Sequence, residues 1–177
     1  MARSLKTGKA PPAKAGPLLT PSRPAGDRRW KALTAAGNAA FAQGRREEAE
    51  RCYAAALAEA EAAFSAFRAG RSDPDLDAAA MLVIASANAA DNWLDMGQGR
   101  RAGEQIVMLC RRLCAALESD DLALEVRERC FLHLRPAVME LMDKLPRAGW
   151  PADAVAHEAG HVRAVALRFI GHNSPRH

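Results

Sequence analysis

The sequence predicts an all-α protein made of antiparallel helices, and its composition is the first reason. Of the 177 residues 40 are alanine, whereas valine and isoleucine together number ten and aromatic residues make up 5%. Alanine loses almost no side-chain entropy in a helix, while sheets draw on the branched and aromatic residues that are scarce here. The second reason is a helical spacing of apolar residues between short breakers. Together these observations exclude an all-β or doubly wound α/β fold.

Six helical segments are predicted, and glycines separate the first four of them. Asp27 is the expected N-cap of the first segment, and Gly44, Gly70 and Gly97 fall where successive segments end. Turns this short make consecutive helices antiparallel neighbours. The predicted segments are about residues 27–43, 45–69, 73–96, 100–117, 119–145 and 151–170.

Prolines and acidic residues mark the other predicted boundaries. Asp73-Pro74 predicts an N-cap followed by proline at the first helical position of the third segment. Ser119-Asp120-Asp121 is expected to begin the fifth segment, and Pro136 to kink or divide it. Residues 146–150 are expected to form a connector, and Pro151 to open the last helix.

The basic charge of the chain is concentrated in residues 1–31, which carry eight basic groups and one acidic group. The whole chain has a net charge of +4, so the remainder is mildly acidic. Five of the ten prolines fall between Pro11 and Pro24, and large apolar residues are almost absent there. Such a segment buries too little surface to offset the entropy of ordering. The sequence therefore predicts a disordered basic tail at residues 1–26, a helical domain at 27–171 and a flexible C-terminus at 172–177.

Apolar runs and cysteines indicate the compartment. Neither a signal-peptide core nor 18 consecutive apolar residues occurs, which predicts a cytoplasmic protein without a membrane segment. The four cysteines lie inside helical patterns, as reduced and mostly packed thiols do. Cys110 and Cys114 share a helix face and could hold a soft metal, but two thiols without nearby partners make an incomplete site, so packing is the favoured interpretation.

A repeat begins at Trp30. Counting from there, Leu33, Gly37 and Phe41 in the first helix, and Ala49 and Tyr53 in the second, fall near the small and large positions of a 34-residue helix pair. Residues 33–61 resemble a tetratricopeptide repeat. Setting Gly97 against Gly44 makes residues 83–116 a degenerate second unit, and the fifth helix a third, with the last helix as a C-terminal cap. The resemblance implies an α-solenoid of helix-turn-helix repeats.

The resemblance also implies a non-catalytic adaptor, scaffold or chaperone without a cofactor. Tetratricopeptide proteins hold a peptide or helix of another protein in a concave groove, lined mainly by the first helix of each unit. Asn38 and Asn88 match asparagines that grip a C-terminal carboxylate in one subfamily, but Thr34 replaces the lysine of that clamp, which removes the main charge-assisted contact. The predicted groove residues are Asn38, Asn88, Asp91, Asn92 and Arg127.

The alternative function is zinc-dependent hydrolysis or metal binding through residues 157–161. His157, Glu158 and His161 fit the H-E-x-x-H pattern, in which two histidines bind zinc and the glutamate is the general base. A catalytic zinc needs a third protein ligand, and the only later candidates are His172 and His177. At 100° per residue, Val155, Ala159, Val162, Ala166 and Phe169 form the apolar stripe, so the histidine pair is expected to face solvent.

The basic tail raises a third alternative, nucleic-acid binding. Its cations would attract phosphate in a salt-dependent, sequence-independent way. Before Trp30 no aromatic residue is available to stack on bases, and no DNA-binding motif occurs. A solubilising tail is the favoured interpretation, with at most non-specific nucleic-acid binding.

Overall fold

The computed structural model describes residues 27–71, 73 and 75–173, and these residues form six helices and no strand. The all-α prediction is confirmed. The predicted tail at 1–26 lies outside the described residues, and so do residues 174–177. The helices are α1 (Arg28–Ala42), α2 (Arg46–Arg68), α3 (Ala78–Asp95), α4 (Gly99–Leu117), α5 (Leu124–Arg147) and α6 (Ala152–Asn173). The last helix thus runs past the predicted end at Ile170.

The predicted helix ends at glycine are confirmed, and the three turns inside helix pairs share one geometry. Gly44, Gly97 and Gly149 all have left-handed φ angles, of 72°, 72° and 82°. In the first turn the N–H of Gly44 donates to the Phe41 carbonyl (3.0 Å), and the N–H of Arg45 donates to the Ala40 carbonyl (2.9 Å). The same two bonds recur at the other two glycines. This pattern closes a helix C-terminus by pairing carbonyls that have no partner within the helix.

Two predicted helix starts, those of α3 and α5, are wrong. α3 begins at Ala78, where the Asp77 carboxylate accepts the Ala80 N–H (2.9 Å), and Pro74 lies outside the described residues. α5 begins at Leu124, later than the predicted residues 119–121, and Asp120 in this segment pairs with Arg127 (3.2 Å). The predicted start of α1 is confirmed, with Asp27 at the N-cap position, although the Asp27 side chain makes no capping bond and pairs with Lys31 (2.6 Å).

α5 is one continuous helix that contains both Pro136 and Pro146, so the predicted division and the predicted connector at residue 146 are wrong. Its buried face is uninterrupted from Cys130 to Leu145 and packs chiefly on α4. Pro136 lies on the exposed face of the helix, where its missing N–H leaves these contacts intact.

Consecutive helices pack against each other, and α3 also contacts α5, as α4 contacts α6. Ion pairs join alternate helices. Glu61 of α2 accepts from Arg112 of α4 (2.5 Å), and Glu50 pairs with Arg101 at the same sequence separation of 51 residues. Glu118 of α4 likewise pairs with Arg168 of α6 (2.5 Å). A repeated separation means that alternate helices run parallel.

Small residues set the distance between neighbouring helices. Gly37 of α1 lies against the ring of Tyr53 in α2, and a Cβ at position 37 would come within 2.5 Å of that ring. Among the described residues twelve alanines are buried: Ala40, Ala49, Ala56, Ala60, Ala78, Ala79, Ala85, Ala89, Ala90, Ala102, Ala116 and Ala137. These alanines therefore lie at the contacts between helices.

Gly37→Ala should destabilise the protein by about 1–3 kcal/mol, because the new methyl group displaces Tyr53. The free energy of unfolding in urea measures the effect. The matched control is Gly160→Ala in α6, where nothing lies within 4 Å of an added Cβ. That control should gain up to about 1 kcal/mol from helix propensity. Equal effects of the two substitutions would contradict the packing assigned to Gly37.

Asp77→Ala should cost about 1 kcal/mol at neutral pH, because it removes the cap of α3. Burial opposes the charge of Asp77, but bonds from Ala80 and His133 outweigh it and lower the pKa of this carboxyl below 3.8. The stabilisation that the Asp77 carboxylate provides is therefore fully present above its pKa in the unfolded chain. It is lost as the pH falls through its pKa in the folded protein. Urea unfolding of both proteins from pH 7 to pH 3 should show the difference shrinking with acid. The exposed Asp75→Ala is the control, and a difference that grows with acid would refute the assignment.

Candidate functional site

Asn38, the first predicted groove residue, is exposed on α1. Its side-chain oxygen accepts a hydrogen bond from the Tyr53 hydroxyl (2.8 Å). Burial, and next the negative charge of Asp91, raise the pKa of Tyr53, so this hydroxyl remains a donor at neutral pH. Tyr53 orients the Asn38 side chain and leaves its NH₂ group available at the surface.

Asp91 of α3 is already engaged by cations of α5. Its carboxylate lies 3.1 Å from the ammonium of Lys144 and 3.5 Å from Arg147. Lys144 is buried and also donates to Glu140 (2.5 Å). Burial opposes the charge of Lys144, but its bonds to Glu140 and Asp91 outweigh burial and raise its pKa. This ion-pair cluster links α3 to α5 and keeps Lys144 protonated at neutral pH.

The two asparagines predicted on α3 have different environments. Asn88 is half-buried, whereas Asn92 has no exposed surface, which corrects its assignment to the groove surface. The Asn92 amide donates to the carbonyl of Arg46 in α2 (3.2 Å), so it holds two helices together. Asp91 lies six residues before Gly97, as Asn38 lies six before Gly44. The equivalent turns therefore place Asp91, not Asn88, at the position that corresponds to Asn38.

Arg127 belongs to the junction of α4, α5 and α6. Its guanidinium donates to the Leu117 carbonyl (3.0 Å), pairs with Asp120 and lies 5.4 Å from the centre of the Phe169 ring. The side chain is 17% exposed. These contacts tie it to the end of α4, and none of its described partners lies on α1 or α3.

The H-E-x-x-H segment lies on α6, and its residues differ in burial. His157 and His161 are exposed, as the helical geometry predicted. Glu158 is buried, and its carboxylate accepts a charge-assisted bond from Arg111 of α4 at 2.6 Å. Within the described residues no group of three or more His, Cys, Asp or Glu side chains is placed to hold a metal ion. The Glu158 carboxylate is thus held in the α4–α6 contact by Arg111, whereas the two histidines face solvent.

Glu158→Gln should lower the free energy of unfolding by about 1–3 kcal/mol, because the Arg111 guanidinium loses its charged acceptor. The paired variant His157→Ala/His161→Ala should leave stability unchanged and alter no metal content. Urea unfolding and elemental analysis of the purified proteins measure both effects. Stoichiometric zinc that disappears with the histidines would overturn this assignment and favour the hydrolase alternative.

The four cysteines are free thiols, of which Cys110, Cys114 and Cys130 are buried in the core and Cys52 is half-buried, in agreement with the prediction of mostly packed thiols. Burial raises the pKa of Cys110 to about 12, that of Cys114 to about 11 and that of Cys130 to about 12. The Cys110 thiol also contacts the Ala137 carbonyl (3.6 Å). Because metals bind thiolates, protonated thiols at positions 110 and 114 favour packing over a shared metal.

An apolar groove between α5 and α6 was not predicted from the sequence. It encloses about 480 Å³, and its walls are almost entirely apolar. Leu132 and Met139 are 69% and 64% exposed, values that are unusual for large apolar side chains. The residues lining the groove are Phe131, Leu132, Leu134, Arg135, Val138, Met139, Ala159, Val162, Arg163 and Ala166.

The sequence does contain a signal for this groove. α5 carries the inward stripe expected of an amphipathic helix, from Cys130 to Leu145. Leu132, Met139 and Met142 form a second apolar stripe on another side of the same helix, and all three are more than half exposed. A helix with apolar residues on two sides has either two neighbours or an open binding surface.

These features define an all-helical protein with an apolar groove on its last helix pair. A family model described as "Protein of unknown function (DUF2753)" matches residues 28–171, so the chain belongs to that family. No curated protein and no solved structure matches the chain. Among the described helices, none is long and apolar enough to cross a membrane.

Proposed function

We propose that this protein is a non-catalytic protein-binding module, an adaptor, scaffold or chaperone, that accommodates a peptide or helix of another protein. The observation that carries the proposal is the open α5–α6 groove. Exposed apolar area of this kind, bordered by polar residues, is typical of protein interaction sites. Leu132 and Met139 are not needed to fill the core, since a separate inward stripe of α5 does so.

The arrangement of helix pairs supports a tetratricopeptide-like stack as the scaffold. The glycines of the turns inside the helix pairs recur after 53 residues, from Gly44 to Gly97, and after 52 residues, from Gly97 to Gly149, while Gly70 ends α2 between two pairs with the same left-handed geometry. This interval is longer than the 34 residues of a tetratricopeptide unit, which fits helices as long as the 23 residues of α2 and the 24 residues of α5. In such a stack α1, α3 and α5 are the first helices of three units.

A groove on these first helices would retain Asn38 and the half-buried Asn88 as polar contacts. It would not act as a carboxylate clamp. Lys144 lies within 4 Å of three carboxylates, those of Asp91, Glu140 and Asp143. An incoming C-terminal carboxylate would therefore have to displace an internal partner of this lysine. Apolar contact is the better supported mode of recognition.

The hydrolase alternative has weaker support from the geometry. A zincin needs its glutamate beside the metal-bound water, next to the two histidines. Glu158 is instead buried against α4 and bonded to Arg111. If Glu158 acted as a general base, its carboxylate would have to leave Arg111, and the contact between α4 and α6 would lose this ion pair.

The protein-binding function is tested by quantitative affinity purification from the native host. The wild type should recover at least one specific partner. Leu132→Asp/Met139→Asp should reduce that recovery about tenfold, because a carboxylate in the groove makes the binding free energy less favourable by about 1 kcal/mol or more. Met108→Asp changes another exposed apolar residue, on α4, and should recover the partner normally. Thermal unfolding confirms that each variant is folded.

Two outcomes would contradict the proposal. The first is a wild-type protein that recovers nothing beyond an unrelated helical control protein. The second is an identical set of partners for the wild type and the groove variant. The Asn38→Ala/Asn88→Ala variant tests the first-helix groove separately, since neither asparagine lines the α5–α6 groove.

A further inference from the structure

The α5–α6 groove occupies the position that a further helix would take in the packing pattern of this protein. α5 itself packs on the two helices that precede it, α4 and α3. A helix placed on α6 and α5 in the same way would cover the groove residues Met139 and Val162. No described segment of the chain lies there. The geometry of the site therefore fits a helix better than an extended peptide.

The charge at the edge of the groove selects among possible occupants. Arg135 of α5 and Arg163 of α6 are exposed and line the groove. Neither has an ion-pair partner among the described residues, whereas Arg111 and Arg168, at the α4–α6 contact, are paired. Two unpaired guanidinium groups beside apolar walls favour carboxylates on the occupant.

Two occupants from the same chain fit this charge poorly. A second copy docked by two-fold symmetry would bring Arg135 and Arg163 close to their own counterparts. Residues 1–26 contain five basic residues and no acidic residue, so they would also be repelled. An acidic partner helix has no such conflict.

We infer that the α5–α6 groove binds an amphipathic helix of another protein, whose apolar stripe is flanked by aspartate or glutamate. This inference rests on the proposed protein-binding function and adds the chemistry of the partner. Leu132 and Met139, seven residues apart, span about two helical turns, or about 10 Å. The partner would present apolar residues at positions i, i+3 or i+4, and i+7 toward them.

The test uses the full chain and three fluorescent 18-residue peptides. The first has leucines at i, i+3, i+4 and i+7 flanked by glutamate, the second replaces glutamate by lysine, and the third scrambles the first. Fluorescence anisotropy at low and physiological salt gives each Kd. The wild type should bind the glutamate helix about tenfold more tightly than either other peptide. The lysine helix lacks the two ion pairs with the groove arginines, and the scrambled peptide lacks the continuous apolar stripe.

Charge reversal supplies the decisive comparison. Arg135→Glu/Arg163→Glu should reverse the preference, so that the lysine helix binds more tightly than the glutamate helix. Arg28→Glu/Arg51→Glu makes the same change in net charge at two other exposed arginines and should leave the preference unchanged. This control separates binding in the groove from general attraction of an acidic peptide to a basic protein.

Several results would overturn the inference. The wild type could bind the three peptides equally or not at all, or the reversed variant could keep the preference for glutamate. A photo-crosslinker at position 139 could react with a second copy or with residues 1–26 in the absence of peptide, which would show that the chain covers its own groove. If Leu132→Asp/Met139→Asp loses a cellular partner that Arg135→Glu/Arg163→Glu retains, protein binding stands and the acidic helix is refuted.

Discussion

Close contact between antiparallel helices is the constraint on which the other features of this protein depend. The ring of Tyr53 in α2 lies directly on Gly37 of α1, and the indole of Trp150, in the turn between α5 and α6, lies on Gly103 of α4. Helices that approach this closely leave room only for small residues at the contact and for tight turns at the ends. The left-handed glycines inside the helix pairs meet the second requirement, because they reverse the chain within three or four residues while pairing the terminal carbonyls.

Ion pairs between alternate helices set the register of this packing. Most of them are partly exposed, so each contributes little to the free energy of unfolding. Both ion pairs between α2 and α4 form in the same alignment of the two helices, because they share one sequence separation. A shifted alignment would lose both pairs. These ion pairs also neutralise many of the charged side chains on the helices. Lys144, for example, brings three carboxylates together and leaves little net attraction for an anionic ligand.

Features set by local chemistry were predictable from the sequence, whereas those set by distant partners were not. Gly97 ends a helix because its own φ angle permits the turn. By contrast, residues 119–121 were expected to begin the fifth helix, but that helix begins at Leu124, and the fold brings Arg127 beside Asp120. Asn92 was assigned to a surface because the sequence does not specify which side of α3 faces α2. The protonated lysine at position 144 was missed for the same reason, since its burial depends on contacts with α3.

The two apolar sides of α5 separate the needs of folding from those of binding. Leu134, Ala137 and Leu141 fill the core, and the helix would pack on α4 equally well if Leu132 and Met139 were polar. Polar residues at those two positions would also reduce the tendency to aggregate, which exposed leucine and methionine increase. Their presence on the exposed side therefore has no explanation within the described helices. Contact with a second helix would account for both their apolar character and the arginines at the groove edge.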